Sequence, residues 1–173
     1  MFKVCLDLNV WCGAFIARRL GRRDTAAMAL VEAVRSGRSS RGPVALIVSW
    51  GMLERLRIVL ARDLGFSGRD AARLVELVAS YAKDGPSLTL GGVGVIPIHD
   101  IEDRHVLETA WAGKADILAT ANLGDFVQAD DELVVAGRVW RLNRGGENMM
   151  LAHPFEAASW LREGEWRTSL GEA

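Results

Sequence analysis

Four acidic residues, far apart in the chain, stand where one sheet edge could gather them: Asp7, Glu54, Asp103 and Asp125. Asp7 closes the apolar run Val4-Cys5-Leu6 and precedes Asn9, whose amide can bond backbone in the turn that must follow. Glu54 falls in the first turns of a helix that opens just after the run ending at Ser49. Asp103 follows Asp100 and Glu102 at another helix start, and Asp125 follows Thr120 and Asn122 beyond a buried strand. Carboxylates brought close together repel, and each raises the pKa of the others unless a cation neutralises them. An all-oxygen set suits Mg²⁺ or Mn²⁺. Zinc is disfavoured, because His99, His105 and His153 lack ligand spacing and the two cysteines sit apart from them.

Each acid taken singly has a plainer role. Asp7 can cap the following helix. Glu54 can pair with a neighbouring Arg on a solvated helix face. Asp100, with Asp103 three residues on, suits the electropositive start of a helix. Asp116 opens its strand at the opposite edge and is assigned a structural role. The case for chemistry rests on the four acids falling together at one edge.

The elements that must position them alternate between two kinds. Short apolar runs read as buried parallel strands at Lys3 to Asp7, Val44 to Ser49, Ala115 to Thr120 and Arg138 to Leu142. Between them lie segments with helical spacing. One runs from about Trp11 to Arg19. A second, Asp24 to Ser36, buries Ala27, Leu30, Val31 and Val34 and stops at Gly37. A third opens near Trp50 and carries Leu53, Leu56, Val59 and Leu60. A fourth opens with Ser67 and Asp70 and stops at Gly85-Pro86, and a fifth runs from about Ile101 to Ala112. The glycine-rich stretch from Gly85 to Gly94 reads as a loop or short hairpin and not as a phosphate loop, since no Gly-Lys-Ser/Thr follows. A helical pattern near Phe155 to Leu161 closes the chain. Alternation of this kind implies an α/β fold with a central, mostly parallel sheet flanked by helices, and such sheets gather their sites beyond the carboxyl ends of the strands.

At 173 residues the chain fits one domain, expected over residues 1–162, with 163–173 as a tail. Half of it is apolar, enough for a sizeable core. The 21 basic and 22 acidic residues nearly cancel, so overall charge does not point to nucleic acid. The basic residues are nearly all Arg, and Arg18, Arg19, Arg22, Arg23, Arg35, Arg38 and Arg41 fall close together. Cys5 and Cys12 form neither a metal pattern nor a disulfide framework; a core role for Cys5 and a reducing, cytoplasmic setting are expected. Asp7 interrupts the first apolar run, against a signal peptide, and no apolar run approaches the ~20 residues of a membrane span.

The ordered set of motifs resembles the PIN-domain family. Leu6-Asp7-Leu8-Asn9-Val10-Trp11 is similar to the family's opening strand and turn. Ser49 to Leu60, with Glu54, resembles its second-acid helix. Asp103 to Ala110, then Gly113, Ala115-Asp116 and Thr120-Ala121-Asn122-Leu123-Gly124-Asp125-Phe126, resemble its third and fourth acid motifs. The likeness covers roughly residues 2 to 162 and leans toward the VapC-like toxins of toxin–antitoxin pairs. Leu8 stands where a Thr or Ser is usual, and Ala121 where an Arg or Gly is common. The resemblance implies a ribonuclease dependent on Mg²⁺ or Mn²⁺, with Asp7, Glu54, Asp103 and Asp125 as catalytic metal ligands. Thr120 and Asn122 would position a carboxylate or a water, and Arg18, Arg19, Arg22 and Arg23 would bring RNA to the rim. It also implies an antitoxin protein as partner and permits a homodimer. Two alternatives remain: a PIN module that binds RNA or protein without turnover, and a haloacid-dehalogenase-like phosphatase. The phosphatase needs a second acid where Asn9 stands.

Overall fold

A computed structural model describes residues 1–88, 101–144 and 146–166, and at residues 101–103 the backbone alone. The chain opens with β1 (Phe2–Leu6), α1 (Leu8–Arg19) and α2 (Ala26–Ser36). A short hairpin, β2 (Arg38–Ser39) with β3 (Gly42–Ile47), leads to α3 (Trp50–Arg62) and α4 (Gly68–Tyr81). Then come α5 (Ile101–Ala112), β4 (Ile117–Ala119), β5 (Glu132–Val135), β6 (Val139–Arg144), β7 (Glu147–Ala152) and α6 (Pro154–Glu163). The sheet order is β2-β3-β1-β4-β7-β6-β5. Strands β3, β1, β4 and β7 run parallel, with Cys5 opposite Ile47 and Leu118, and Leu118 opposite Leu151. The expected α/β architecture, a mostly parallel sheet flanked by helices, is the one observed.

Strand β1 is central because its residues demand it. Val4, Cys5 and Leu6 are fully buried, as parallel strands covered on both faces must be. From β1 the sheet grows one way to β3 and the other way to β4, so the strand order reverses between β1 and β4. A crevice opens beyond the carboxyl ends at such a point. Asp7 follows β1 there, and Thr120 follows β4.

Helix α5 runs back along the sheet against the strand direction. His105 meets Ser49, Thr109 meets Ser49 one turn on, and the backbone N–H of Asp116, beyond the helix, reaches the Lys3 carbonyl at 2.8 Å. The end of the helix lies so close to β3 that a Cβ on Gly113 would stand 2.2 Å from Ile47 Cγ2. Only glycine fits that approach. The first turn of α5, with Asp103, therefore lies at the carboxyl edge.

Several expectations need correction. The run Arg138 to Leu142 is not a parallel strand: β6 pairs antiparallel with both β5 and β7. The connections on either side of it are only a few residues, and parallel strands need a crossover of a dozen or more. The central strand β7 was not anticipated, because Glu-Asn-Met-Met-Leu-Ala lacks the β-branched residues that mark a strand. Helix α1 starts at Leu8 rather than near Trp11, since Asp7 caps it directly. Helix α2 buries Leu30 and Val34 fully but Ala27 and Val31 only in part, and it stops at Gly37 as expected. Ser67 caps α4 as expected, accepting from the Asp70 N–H at 3.1 Å. Asp116 holds the opposite edge, accepting from the Lys3 N–H at 2.8 Å. Of the glycine-rich stretch, residues 89–94 lie outside the described residues, as does Asp100.

Candidate active site

Of the candidate acids whose side chains are described, Asp7 is the buried one. It is 5% exposed, and its carboxylate accepts three hydrogen bonds of 2.6 Å each. Oδ1 takes the Leu8 backbone N–H, so the same side chain caps α1. Oδ2 takes the Asn9 amide and the Thr120 hydroxyl. Burial pushes the Asp7 carboxyl above its ordinary range; the three donors pull it back, and the charge of Asp125 pushes it up again.

The strand ends fix these partners. Asp7 N–H donates to the Ala119 carbonyl at 3.0 Å, and Thr120 N–H to the Ala152 carbonyl at 3.0 Å, extending the sheet past its last regular pairs. Asn9 bridges the start of α1 and the turn after β4. Its Nδ2 donates to Asp7 and, at 3.0 Å, to Thr120 Oγ1, while its Oδ1 accepts from Ala121 N–H at 3.1 Å. Asn9 was expected to bond backbone within its own turn, but it bonds backbone across the crevice. Its signal was its place two residues after Asp7, which puts it in the first turn of α1, facing the end of β4.

Thr120 Oγ1 also accepts from Asn122 N–H at 3.0 Å, and the Asn122 amide donates to Asp125 Oδ2. Asp125 ends a short 3-10 turn, Leu123–Asp125, and is exposed. A continuous chain of polar contacts thus runs from Asp7 through Thr120 and Asn122 to Asp125. Sequence reasoning placed Thr120 and Asn122 beside the acids; the structure adds the order in which they connect.

Glu54 behaves differently. Its side chain is 58% exposed and receives both ends of the Arg57 guanidinium, at 2.9 and 2.6 Å. This pairing holds the Glu54 carboxyl below its usual range. Helix α3 does start at the carboxyl edge, but the Glu54 carboxylate is turned along the helix toward Arg57. Asp103 sits in the first turn of α5, two residues before His105, and its side chain is outside the described residues. Among the described residues no three His, Cys, Asp or Glu side chains cluster closely enough to hold a metal ion.

A second polar group, missed in the sequence, ties α3 to α5. Ser49 Oγ caps α3 by accepting from Met52 N–H at 3.3 Å, and it accepts from Thr109 Oγ1 at 3.0 Å. The same oxygen lies in hydrogen-bond contact with His105 Nε2, 3.0 Å away. Burial pulls His105 below the usual imidazole range, with Glu108 pulling it back up. Gly51 makes the contact possible, since a Cβ there would lie 2.3 Å from His105 Nε2. Small Gly51 two residues after Ser49 was the available signal, but nothing local paired it with His105.

The model of the PIN domain family matches residues 3–124. The chain belongs to the PIN-domain family. PIN domains are generally nucleases, so the fold is a nuclease fold, and the phosphatase alternative is set aside. No curated protein and no solved structure matches the chain. The matched span includes Asp7, Glu54 and Asp103 and stops one residue before Asp125. PIN domains generally use divalent metal ions, and the donor chemistry here suits one. Asp7 and Asp125 offer only oxygen, and a cation held there would offset both the burial that lifts Asp7 and the smaller push from the charge of Asp125. Leu8, where PIN sequences usually carry a hydroxyl, contributes its backbone N–H to Asp7 and no side-chain donor.

Proposed function

We propose that this PIN domain is a metal-dependent ribonuclease that hydrolyses RNA phosphodiester bonds. The observation that carries the reading is Asp7: a buried carboxylate with three oriented donors, lifted by its burial and, to a lesser degree, by the charge of Asp125, at the strand-order reversal of the sheet. Asp7 and Asp125 would hold Mg²⁺ or Mn²⁺, with Asp103 and Glu54 completing the set. When bound, such a cation supplies an activated water and offsets the charge that builds on the phosphate.

The chain's own residues do the rest. Thr120 and Asn9 fix the direction of the Asp7 carboxylate, and Asn122 fixes that of Asp125. Glu54 joins the site by leaving Arg57, one turn away on the same helix face. Arg18, Arg22 and Arg23 are exposed and are the proposed rim contacts for phosphate, while Arg19 donates to the Leu64 carbonyl at 3.0 Å and lies over Phe66. The likeness to VapC-like toxins supports a toxin–antitoxin role in the cytoplasm, with an antitoxin covering this rim, and it permits a homodimer. Among the described residues no helix is long and apolar enough to cross a membrane.

A second reading, a PIN module that binds RNA without cleaving it, draws on the Glu54–Arg57 pair and on Leu8. One experiment separates the two. Purified protein is incubated with structured and single-stranded RNAs in Mg²⁺ or Mn²⁺ and in EDTA, alongside Asp7→Asn and Asp103→Asn. Cleavage that needs metal and is lost in both variants is expected. RNA binding with every substrate left intact supports the non-catalytic module.

A further inference from the structure

We infer that Trp50 is a stacking platform for an unpaired RNA base beside the carboxylates, an inference that rests on the ribonuclease reading. Trp50 is the first residue of α3 and is 52% exposed, whereas most indoles bury the greater part of their surface. Its place at the carboxyl edge is fixed by register. Cys5 and Ile47 are the last paired residues of β1 and β3, so Asp7 and Ser49 each lie two residues past that pair, beyond the carboxyl ends of their strands. Trp50 follows Ser49 immediately.

The platform is rigid where it meets the backbone. Trp50 N–H donates to the Ser87 carbonyl at 3.1 Å, and Ser49 bridges in parallel to Ser87. Ser49 caps the helix on one side of it, and Gly51 is wedged against His105 on the other. An exposed indole on so constrained a backbone loses little freedom when a flat ligand settles on it. Trp50, Glu54 and Arg57 also follow one another at helical spacing along the solvent face of α3, with Glu54 about 6 Å along the axis from Trp50. The face therefore presents, in order, a ring, a carboxylate and a guanidinium. A single-stranded nucleotide offers the matching sequence of a base and a phosphate, and every base has a face that stacks on an aromatic ring.

Binding is measured in EDTA with Asp7→Asn as the background, so that cleavage plays no part. The probes are labelled oligoadenylate and oligouridylate of about ten nucleotides, within the span that single-strand grooves cover. Trp50→Leu keeps the apolar bulk and removes the ring; Trp50→Phe keeps a ring. Trp50→Leu should weaken binding by about fivefold or more, with the larger loss on oligoadenylate, and Trp50→Phe should recover most of it. Circular dichroism should show both variants folded, since the side chain is exposed. Equal affinities for wild type, Leu and Phe would overturn the platform, as would a Leu variant that changed only the oligomeric state. If the wild type cleaves RNA yet the Trp50 variants bind normally, the nuclease reading stands and the platform falls. If no RNA is cleaved but the Leu variant alone loses affinity, the platform stands and the nuclease reading falls.

Discussion

Asp7 and Glu54 belong to one proposed site, yet the fold treats them in opposite ways. Asp7 is buried, held by three donors, and carries its charge against the surrounding protein. Glu54 is exposed and its charge is already answered by Arg57. The contrast teaches that proximity to a sheet edge does not make two carboxylates equivalent. One is fixed in advance by strand ends that cannot move without breaking the sheet. The other sits on a helix face and is free to change partners by side-chain rotation alone.

The contrast breaks most directly at Asp7. Asp7→Asn should lower RNA cleavage by about a hundredfold or more in a metal-saturated assay. Glu54→Gln should lower it by at least ten times less, because Glu54 must first leave Arg57. Equal losses would erase the distinction between a preset and a recruited carboxylate.

Next in size is the support behind Asp7. Thr120→Val removes the hydroxyl that donates to Asp7 Oδ2 and accepts from Asn122 N–H. Mn²⁺ affinity should fall about tenfold, as expected when an outer partner of a metal ligand is lost. An unchanged affinity would mean that the chain from Asp7 to Asp125 is decoration.

The buried charge should also be visible in stability. Burial lifts Asp7 above its ordinary value of 3.8. A carboxyl raised in the folded state binds its proton more tightly folded than unfolded. Its contribution to stability is therefore whole below 3.8 and is lost as pH rises through the folded value. The metal-free protein should show that loss in thermal melts in EDTA as pH climbs above 3.8 and through the raised folded value. Asp7→Asn should remove most of it, and Mn²⁺ should reverse it in the wild type only. A loss of the same size in Asp7→Asn would place it elsewhere.

How much of this was legible beforehand divides along the same line. Asp7, Thr120 and Asn122 could be read because strand ends are marked by short buried runs, and the carboxyl edge is where such runs stop. Asn9 was seen, but its reach across to Ala121 depends on β4 lying next to β1, which no local pattern states. The pairing of Ser49 with His105 and Thr109 joins residues some sixty positions apart, so only the packed helices reveal it. Strand β7 was hidden by its methionines, and β6 was given the wrong direction because an apolar run carries no sign of its partner. The turn of Glu54 toward Arg57 was written in the sequence as an i, i+3 pair and was weighed as the plainer reading of that residue.

The smallest effect sharpens the Glu54 side. The pair is solvent-exposed, and exposed pairs contribute little to stability. Arg57→Ala should leave the melting temperature unchanged within error while tightening Mn²⁺ binding about two- to threefold, since a competing cation for Glu54 is gone. A marked drop in melting temperature would show the pair to be structural instead.

The central claim is that Asp7 and Asp125 hold one divalent cation between them. Titration of metal-free protein with Mn²⁺, counting free ion by its magnetic resonance signal, tests it most directly. The account predicts a saturable site in the wild type that weakens at least about tenfold in Asp7→Asn and in Asp125→Asn. A wild type that binds no Mn²⁺, or single variants that bind it as well as the wild type does, would contradict it.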